Sequence, residues 1–418
     1  MSEKIAIIGG GVAGLTAGYL LNDRHDVTLF EKDNRLGGNV YTLDTKTGEE
    51  IDISVFFWSP KLYPNFAKLL TRLGIDPYET KPMEGLSQSF RNMDTQRDYY
   101  LSCDLTKPRS TFSLKNIKSS MYQMIVLWNY MKIIKIYRKG QIEGMSLRQA
   151  MKFCPALKGD LLKLAIFPIC IMTSMLWDEL MDAPAEFVIT KIEKQVGSPL
   201  KFISWRLYPC KTRVYVDLLA EPFKEKINLN ANIKSVKRNG KSVVLKMADD
   251  TEQKFDKVIF ACPADTALGL LSDPSDDETR LLSPWRYNDG LVIIHTDKSN
   301  YPAEDLWGMY SYLYTDNDGE INTSINAHYR FQNGVPDDSE YMGCQHPNIE
   351  IDKDKIEFQR VFRTPIYDNE SFATIKELPS LNGQKNTYYC GSHFGYGLHE
   401  DAVTSAIKVS KLLGAIWK

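Results

Sequence analysis

At 418 residues, 43% hydrophobic and 25% charged, the chain has the make-up of a globular protein large enough for two or three domains. Its 51 basic and 53 acidic residues nearly cancel, which argues against nucleic acid as the main partner. Seven cysteines without C-x-x-C pairing or framework spacing point to a reducing compartment rather than to a disulfide scaffold.

The apolar run Lys4-Ile5-Ala6-Ile7-Ile8 predicts a buried strand, and it leads into Gly9-Gly10-Gly11-Val12-Ala13-Gly14 and a helix over 15–21. A G-x-G-x-x-G turn between strand and helix is a site for a dinucleotide pyrophosphate: Gly9 permits the turn, Gly11 lets backbone amides approach the phosphates, and Gly14 lets the helix pack close to the strand. A second strand over 27–30 ends at Glu31, close to the offset of about 20 residues at which an acid holds a ribose hydroxyl. An acid there suits an unphosphorylated adenosine, so FAD or NAD fits better than NADP. In Arg35-Leu36-Gly37-Gly38-Asn39 a glycine pair again permits close backbone approach, either to a second part of the same cofactor or simply as a flexible loop.

Residues 147–151, 161–171 and 187–196 show helical spacing. The stretch 119–137 is apolar and aromatic between lysine- and arginine-rich ends, too short to span a bilayer, which takes about 20 apolar residues. Its composition suits the interface of an anionic membrane, and equally a core helix with solvated basic ends. Strands are predicted over 227–233, 241–247 and 255–262, then strand-like runs at 291–296 and 310–314. Finally a strand over 387–390 meets Gly391 and Ser392, and a loop leads to a helix opening at Glu400-Asp401. Amides at that helix start would face an anionic group, although a capped amphipathic helix after a turn accounts for the same pattern.

With these motifs the chain resembles the flavin-containing amine oxidase superfamily, and four stretches support a closer likeness inside it: residues 24–31, 273–275 with 285–287, 295–297, and most specifically Gly391-Ser392-His393-Phe394-Gly395-Tyr396-Gly397-Leu398-His399-Glu400-Asp401. Within it the chain is most similar to bacterial FAD-binding oxidoreductases associated with cyclopropane-fatty-acid-synthase-like proteins. The resemblance implies an α/β fold: a Rossmann-like FAD-binding domain of the glutathione-reductase type with an inserted α+β substrate domain. The FAD-binding domain would comprise 1–70, 197–271 and 385–418, and the substrate domain 71–196 and 272–384. The FAD-binding set it implies comprises Gly9, Gly11, Val12, Ala13, Gly14, Glu31, Lys32, Arg35, Gly37, Gly38, Asn39, Ile233, Gly391, Ser392, Glu400, Asp401 and Ala402. Phe394, Tyr396 and His399 are placed as the wall facing the flavin, with His399 as a proton carrier and Trp58 along the same cavity; packing is the alternative role for these aromatics. Departures from the family pattern are Asn39 where a cationic residue is usual, Ser54 where glycine is common, and Tyr208-Pro209-Cys210-Lys211-Thr212-Arg213 in place of a glycine-rich stretch.

The expected activity is FAD-dependent hydride abstraction from a hydrophobic, fatty-acyl or lipid-derived molecule. Alternatives are amine oxidation yielding imine and hydrogen peroxide, FAD-dependent double-bond isomerisation, and a non-catalytic flavin-binding partner of a lipid-modifying complex. No metal-ligand spacing and no export signal precede or interrupt these motifs, so a metal-free, cytoplasmic protein, membrane-associated if 119–137 lies on lipid, is the expectation.

Overall fold

The computed structural model describes residues 2–54, 57–80, 87–102, 117–196 and 205–417. Val55, Cys103, Lys115 and the side chain of Lys118, singled out in the sequence, lie outside this description.

A five-stranded parallel sheet runs in the order Thr387–Tyr389, Lys257–Phe260, Lys4–Ile8, Asp26–Phe30, Ile227–Asn228. Its central strand is apolar at consecutive positions because both faces are covered. Ile5 and Ile7, with Val27, Leu29 and Ile259, face one core shared with the helices Val12–Leu21, Thr212–Ala220 and His399–Leu412. Ala6 and Ile8, with Phe30, Val258 and Phe260, face the other, where a three-stranded antiparallel sheet (Ile233–Arg238, Val243–Met247, Glu252–Phe255) brings Phe255 edge-on to Phe30 at 5.8 Å. The three segments that meet in the parallel sheet are far apart in sequence.

A second, seven-stranded mixed sheet has the order Ile356–Ile366, Arg286–His295, Met342–Gln345, Glu320–His328, Tyr310–Asn317, Ser87–Asn92, Arg97–Ser102. Only the Tyr310–Asn317 and Ser87–Asn92 pairing is parallel. The helices Ile117–Tyr137, Asp160–Thr173, Trp177–Asp182 and Ala185–Val196 accompany it, with Phe167 of the second stacked on Tyr312 of the sheet at 5.9 Å. This α/β architecture agrees with the class expected from the sequence.

Two expected strands are divided. The run 227–233 pairs with Leu29 and Phe30 only at Ile227–Asn228, turns through Asn230, whose φ is +54°, and restarts at Ile233 in the antiparallel sheet. The run 255–262 breaks at Asp256, whose carboxylate accepts the Lys4 N–H at 2.8 Å, so the chain passes from one sheet to the other there. Hydrophobic periodicity sees neither turn, since both flanking pieces are extended and apolar. The first helix begins at Val12 rather than at 15, with Gly11 as its N-cap.

Candidate functional site

The glycine turn is built around close contacts that leave no room for side chains, and one gap that does. Gly9 has φ +113° and donates to the Phe30 carbonyl at 2.8 Å, while a Cβ on Gly14 would overlap the Gly9 carbonyl oxygen. Gly11 is different. A Cβ there would meet nothing nearer than the Gly38 Cα at 3.9 Å, so the space above it is an open cradle with the Gly38 backbone at one side. The first turn-closing bond of the helix runs from the Leu15 N–H to the Gly11 carbonyl, which places the preceding amides of Val12, Ala13 and Gly14 at the positive end of the helix dipole. This geometry fits a diphosphate.

The glycine pair Gly37-Gly38 docks on that turn, Gly37 N–H donating to the Gly10 carbonyl at 2.8 Å. Arg35 holds the pair in place: its guanidinium donates to the carbonyls of Leu36, Val40 and Gly38, and it lies 4.5 Å over the Tyr41 ring. Burial, with Arg360 adding repulsion, pushes its pKa down to about 10. Glu31, nearly fully buried, accepts the amides of Gly10 at 2.6 Å and Asp33 at 2.9 Å, and its own backbone bonds Asn228 and Ala231, two residues before Ile233. Ile233 is thus close to the acid by chain connection. Two residues of the expected set are engaged elsewhere. Asn39 donates to the Arg363 carbonyl at 2.8 Å, and exposed Lys32 pairs with Asp33, because the second sheet and the loop carboxylate lie within their reach.

At the other end of the cofactor path, the Ser405 hydroxyl bonds both the amide and the carbonyl of Gly391, and the Ser392 carbonyl accepts from Gly395 and Gly397. Phe394, Tyr396 and His399 do not form one wall. Phe394 rests on His393, and Tyr396 lies near-parallel to Phe187 at 6.0 Å. His399 is enclosed by Phe66, Tyr208 and Tyr215, with the Tyr215 hydroxyl 3.1 Å from Nε2. Burial pushes its pKa down to about 4, so the ring is neutral at pH 7, which corrects its reading as a proton carrier of ordinary basicity. Trp58 is likewise buried against Tyr63, Phe66 and Tyr208.

Glu400 and Asp401 also take roles the sequence hides. Glu400 accepts the amides of Asn65 and Phe66 and so caps the helix Pro64–Arg72. Asp401 accepts the amides of Tyr396 and Leu398, each at 2.9 Å, taking up donors expected to face a ligand, while Ala402 is buried in the first turn behind it. Burial raises the pKa of both carboxyls.

Beside this helix start is a cavity lined by Tyr63, Trp205, Leu398, Lys191, Lys194, Glu400 and Asp401. Lys191 is 2% exposed, donates to the Met172 carbonyl at 3.1 Å and sits 4.9 Å over Phe187; burial pulls its pKa down to about 7, with Lys194 adding to the fall and Asp401 opposing it. Lys194 lies 4.1 Å over the Tyr396 ring. Sequence reasoning missed both lysines. A signal existed: Lys191 falls four residues after Phe187, on the apolar face of its helix. Asp52 was also undervalued, for its buried carboxylate accepts both the amide and the hydroxyl of Thr212, which starts the helix that replaces the expected glycine-rich stretch.

His295, His328 and His393 are buried and His399 is half-buried, with pKa values pushed down by desolvation to about 4, 3, 4 and 4. A depressed folded value means their stabilisation is complete above the unfolded value of about 6.5 and is lost as pH falls toward the folded one. His399→Phe is therefore expected to shrink the stability lost between pH 7 and pH 5 by about 2 kcal/mol, read from denaturant midpoints at the two pH values. An unchanged pH dependence would place His399 in contact with water.

A parallel sheet headed by an open glycine cradle, with a second sheet and a helical layer beside it, defines a dinucleotide-binding protein of the oxidoreductase type. Sequence models agree: the NAD(P)-binding Rossmann-like domain matches residues 7–73 and the flavin containing amine oxidoreductase residues 212–333. These matches support the flavin amine oxidase superfamily and, with it, FAD as the cofactor. It is 50% identical over 48 residues to the L-amino-acid oxidase of Mus musculus, 11% of this chain and 8% of that protein. It is 30% identical over 89 residues to the flavin-containing amine oxidase B of Homo sapiens, 21% of this chain and 17% of that one. The chain thus aligns with under a fifth of either relative. Its fold is similar throughout to a CLA-producing fatty acid isomerase from P. acnes, with a TM-score of 0.70, 15% identity and 99% of each chain covered.

Proposed function

We propose that the protein is an FAD-dependent oxidoreductase whose substrate is a hydrophobic molecule with an acidic head, of the fatty-acyl type. In this reading 1–70, 197–271 and 385–418 form the FAD-binding domain, and 71–196 with 272–384 the substrate domain. The Gly11 cradle and the amides of Val12, Ala13 and Gly14 hold the diphosphate, with Glu31 turning to the ribose and Gly391 and Ser392 flanking the ribityl chain. Bound there, FAD supplies an acceptor for the hydride of a substrate C–H bond.

The observation that carries the substrate class is the pair of lysines in the cavity lining. Its lining brings Tyr63, Trp205 and Leu398 together with two lysines, Lys191 and Lys194, and two carboxylates, Glu400 and Asp401, that already accept backbone amides. An anionic head would find donors there, and its charge would raise the depressed pKa of Lys191 and keep the ammonium protonated. Lys191→Met is expected to weaken bleaching of the flavin by a long-chain fatty acid in anaerobic titration by about 10- to 100-fold, the loss of one charge-assisted hydrogen bond. Equal bleaching by variant and wild type would remove Lys191 from the substrate site.

Amine oxidation is the second reading, favoured by the same lysine: an amine held near pKa 7 can take the proton from a substrate ammonium. Peroxide release with amines, and none with fatty acids, would select it. Products of unchanged mass would select double-bond isomerisation, and a flavin that no substrate bleaches would leave a binding partner of a lipid-modifying complex.

A further inference from the structure

The helix Ile117–Tyr137 packs on Ala185–Val196 through one face, where Val126, Ile133 and Ile134 are buried. Its outer face carries Met121, Met124, Trp128 and Met131, spaced i, i+3, i+7 and i+10 and exposed by 59, 63, 74 and 49%. Four large apolar side chains in one stripe are not the pattern of a solvated helix. Further along the same side the residues become basic: Lys132, Lys135 and Lys139 are exposed, while Arg138 pairs with Glu193. The surrounding sequence 105–142 holds eight lysines and arginines and no acid, in a chain whose formal net charge is −2.

We propose that this stripe docks the protein on the surface of an anionic lipid bilayer, lying in its plane with Trp128 and the methionines among the acyl ends of the headgroup layer and the lysines against lipid phosphates. Among the described residues no helix is long and apolar enough to cross a membrane, so the contact is peripheral. The alternative occupant, a second copy of the chain, fits poorly. A parallel pairing of two such helices would set lysine against lysine, and an antiparallel one would set each apolar half against the other's lysines.

The position of the stripe gives docking a use. Tyr137, at the end of the helix, accepts the Thr190 hydroxyl at 3.1 Å, and Thr190 adjoins Lys191 of the cavity. Docking would therefore bring the substrate cavity near the lipid from which a hydrophobic acid leaves; this last step rests on the proposed substrate class, whereas the docking does not.

The test is sedimentation of the full-length, FAD-loaded protein with vesicles of phosphatidylcholine alone or mixed with phosphatidylglycerol, at low and physiological salt. Binding is expected to the mixed vesicles only and to weaken with salt. Trp128→Ser/Met124→Ser and Lys132→Glu/Lys135→Glu, all at exposed positions, are each expected to lower the bound fraction by about tenfold while flavin content and thermal midpoint stay unchanged. No binding to either vesicle, equal binding to both, or variants that bind like the wild type would overturn the proposal, as would a wild-type dimer that Trp128→Ser converts to monomer. None of these outcomes depends on turnover, so docking and substrate class fail separately.

Discussion

Gly11→Ala is expected to fold with an unchanged thermal midpoint and to lose FAD affinity by at least about 100-fold, whereas Gly14→Ala is expected not to fold at all. The two glycines stand three residues apart in one motif, yet they do different work. A methyl group on Gly14 would overlap the Gly9 carbonyl oxygen, backbone against backbone in the tightest part of the strand-to-helix turn, with nothing able to yield. A methyl group on Gly11 meets no protein atom closer than 3.9 Å, and Gly11 has an ordinary extended conformation that alanine adopts readily. What that methyl fills is the cradle. It would hold a diphosphate off the helix amides and forfeit two or more charge-assisted hydrogen bonds of about 1.5–3 kcal/mol each. Fluorescence titration with FAD and circular dichroism of both variants measure the split, and a Gly11→Ala protein that binds FAD like the wild type would put the diphosphate elsewhere.

The largest effect on stability is expected from Arg238. Its guanidinium, with no side-chain exposure, donates twice to Glu278 at 2.5 and 2.9 Å and to the Asp273 carbonyl at 2.7 Å, and the Tyr389 hydroxyl donates to the same Glu278 at 2.6 Å. The cluster joins the antiparallel sheet, the helix Asp276–Leu282 and the edge strand of the parallel sheet. Burial alone would raise the Glu278 carboxyl, but the hydrogen bonds from Arg238, Tyr389 and Ser275 outweigh it and hold the pKa at about 2. Arg238→Met leaves that carboxylate buried without its cation, at a cost of about 3–5 kcal/mol. Because the folded value lies below the unfolded one of about 4.3, the stabilisation is present above that pH and is lost as pH falls toward 2. The variant should accordingly show a shallower loss of stability on acidification. Adding Glu278→Met should recover much of the deficit, since paired apolar replacements of a buried ion pair are often near neutral. A single variant within about 0.5 kcal/mol of the wild type would contradict this account of the cluster.

The features legible in the sequence are those whose cause is local. The glycine turn depends on backbone contacts within six residues, and the buried strand beside it is an unbroken apolar run because its sheet is covered on both faces. Glu31 could be placed because its offset from the turn is set by one helix and one strand. Residues whose role depends on remote partners could not be assigned this way. Glu400 and Asp401 look like cofactor ligands until Asn65, Phe66 and the loop amides are seen to reach them first. His399 follows the glycine loop closely in sequence, but the direction in which it leaves the helix start carries it into an aromatic enclosure. Lys191 carries a local hint in its place on the apolar face of its helix, but only tertiary packing buries it, and the Arg238–Glu278 pair spans 40 residues with no pattern between. The segment 119–137 is the intermediate case: its composition admitted either core or lipid surface, and the exposure of Trp128 and three methionines shows which side chains are turned outward.

The central claim is a dinucleotide whose diphosphate rests over Gly11, beside Gly38, with its flavin end toward the helix that begins at His399. Equilibrium titration of purified, flavin-stripped protein with FAD, followed by flavin fluorescence, tests it most directly. The account predicts saturation at one FAD per chain, with ADP competing for the same site and Gly11→Ala abolishing uptake. A protein that takes up no FAD, or takes it up undisturbed by ADP and by the Gly11 substitution, would contradict it.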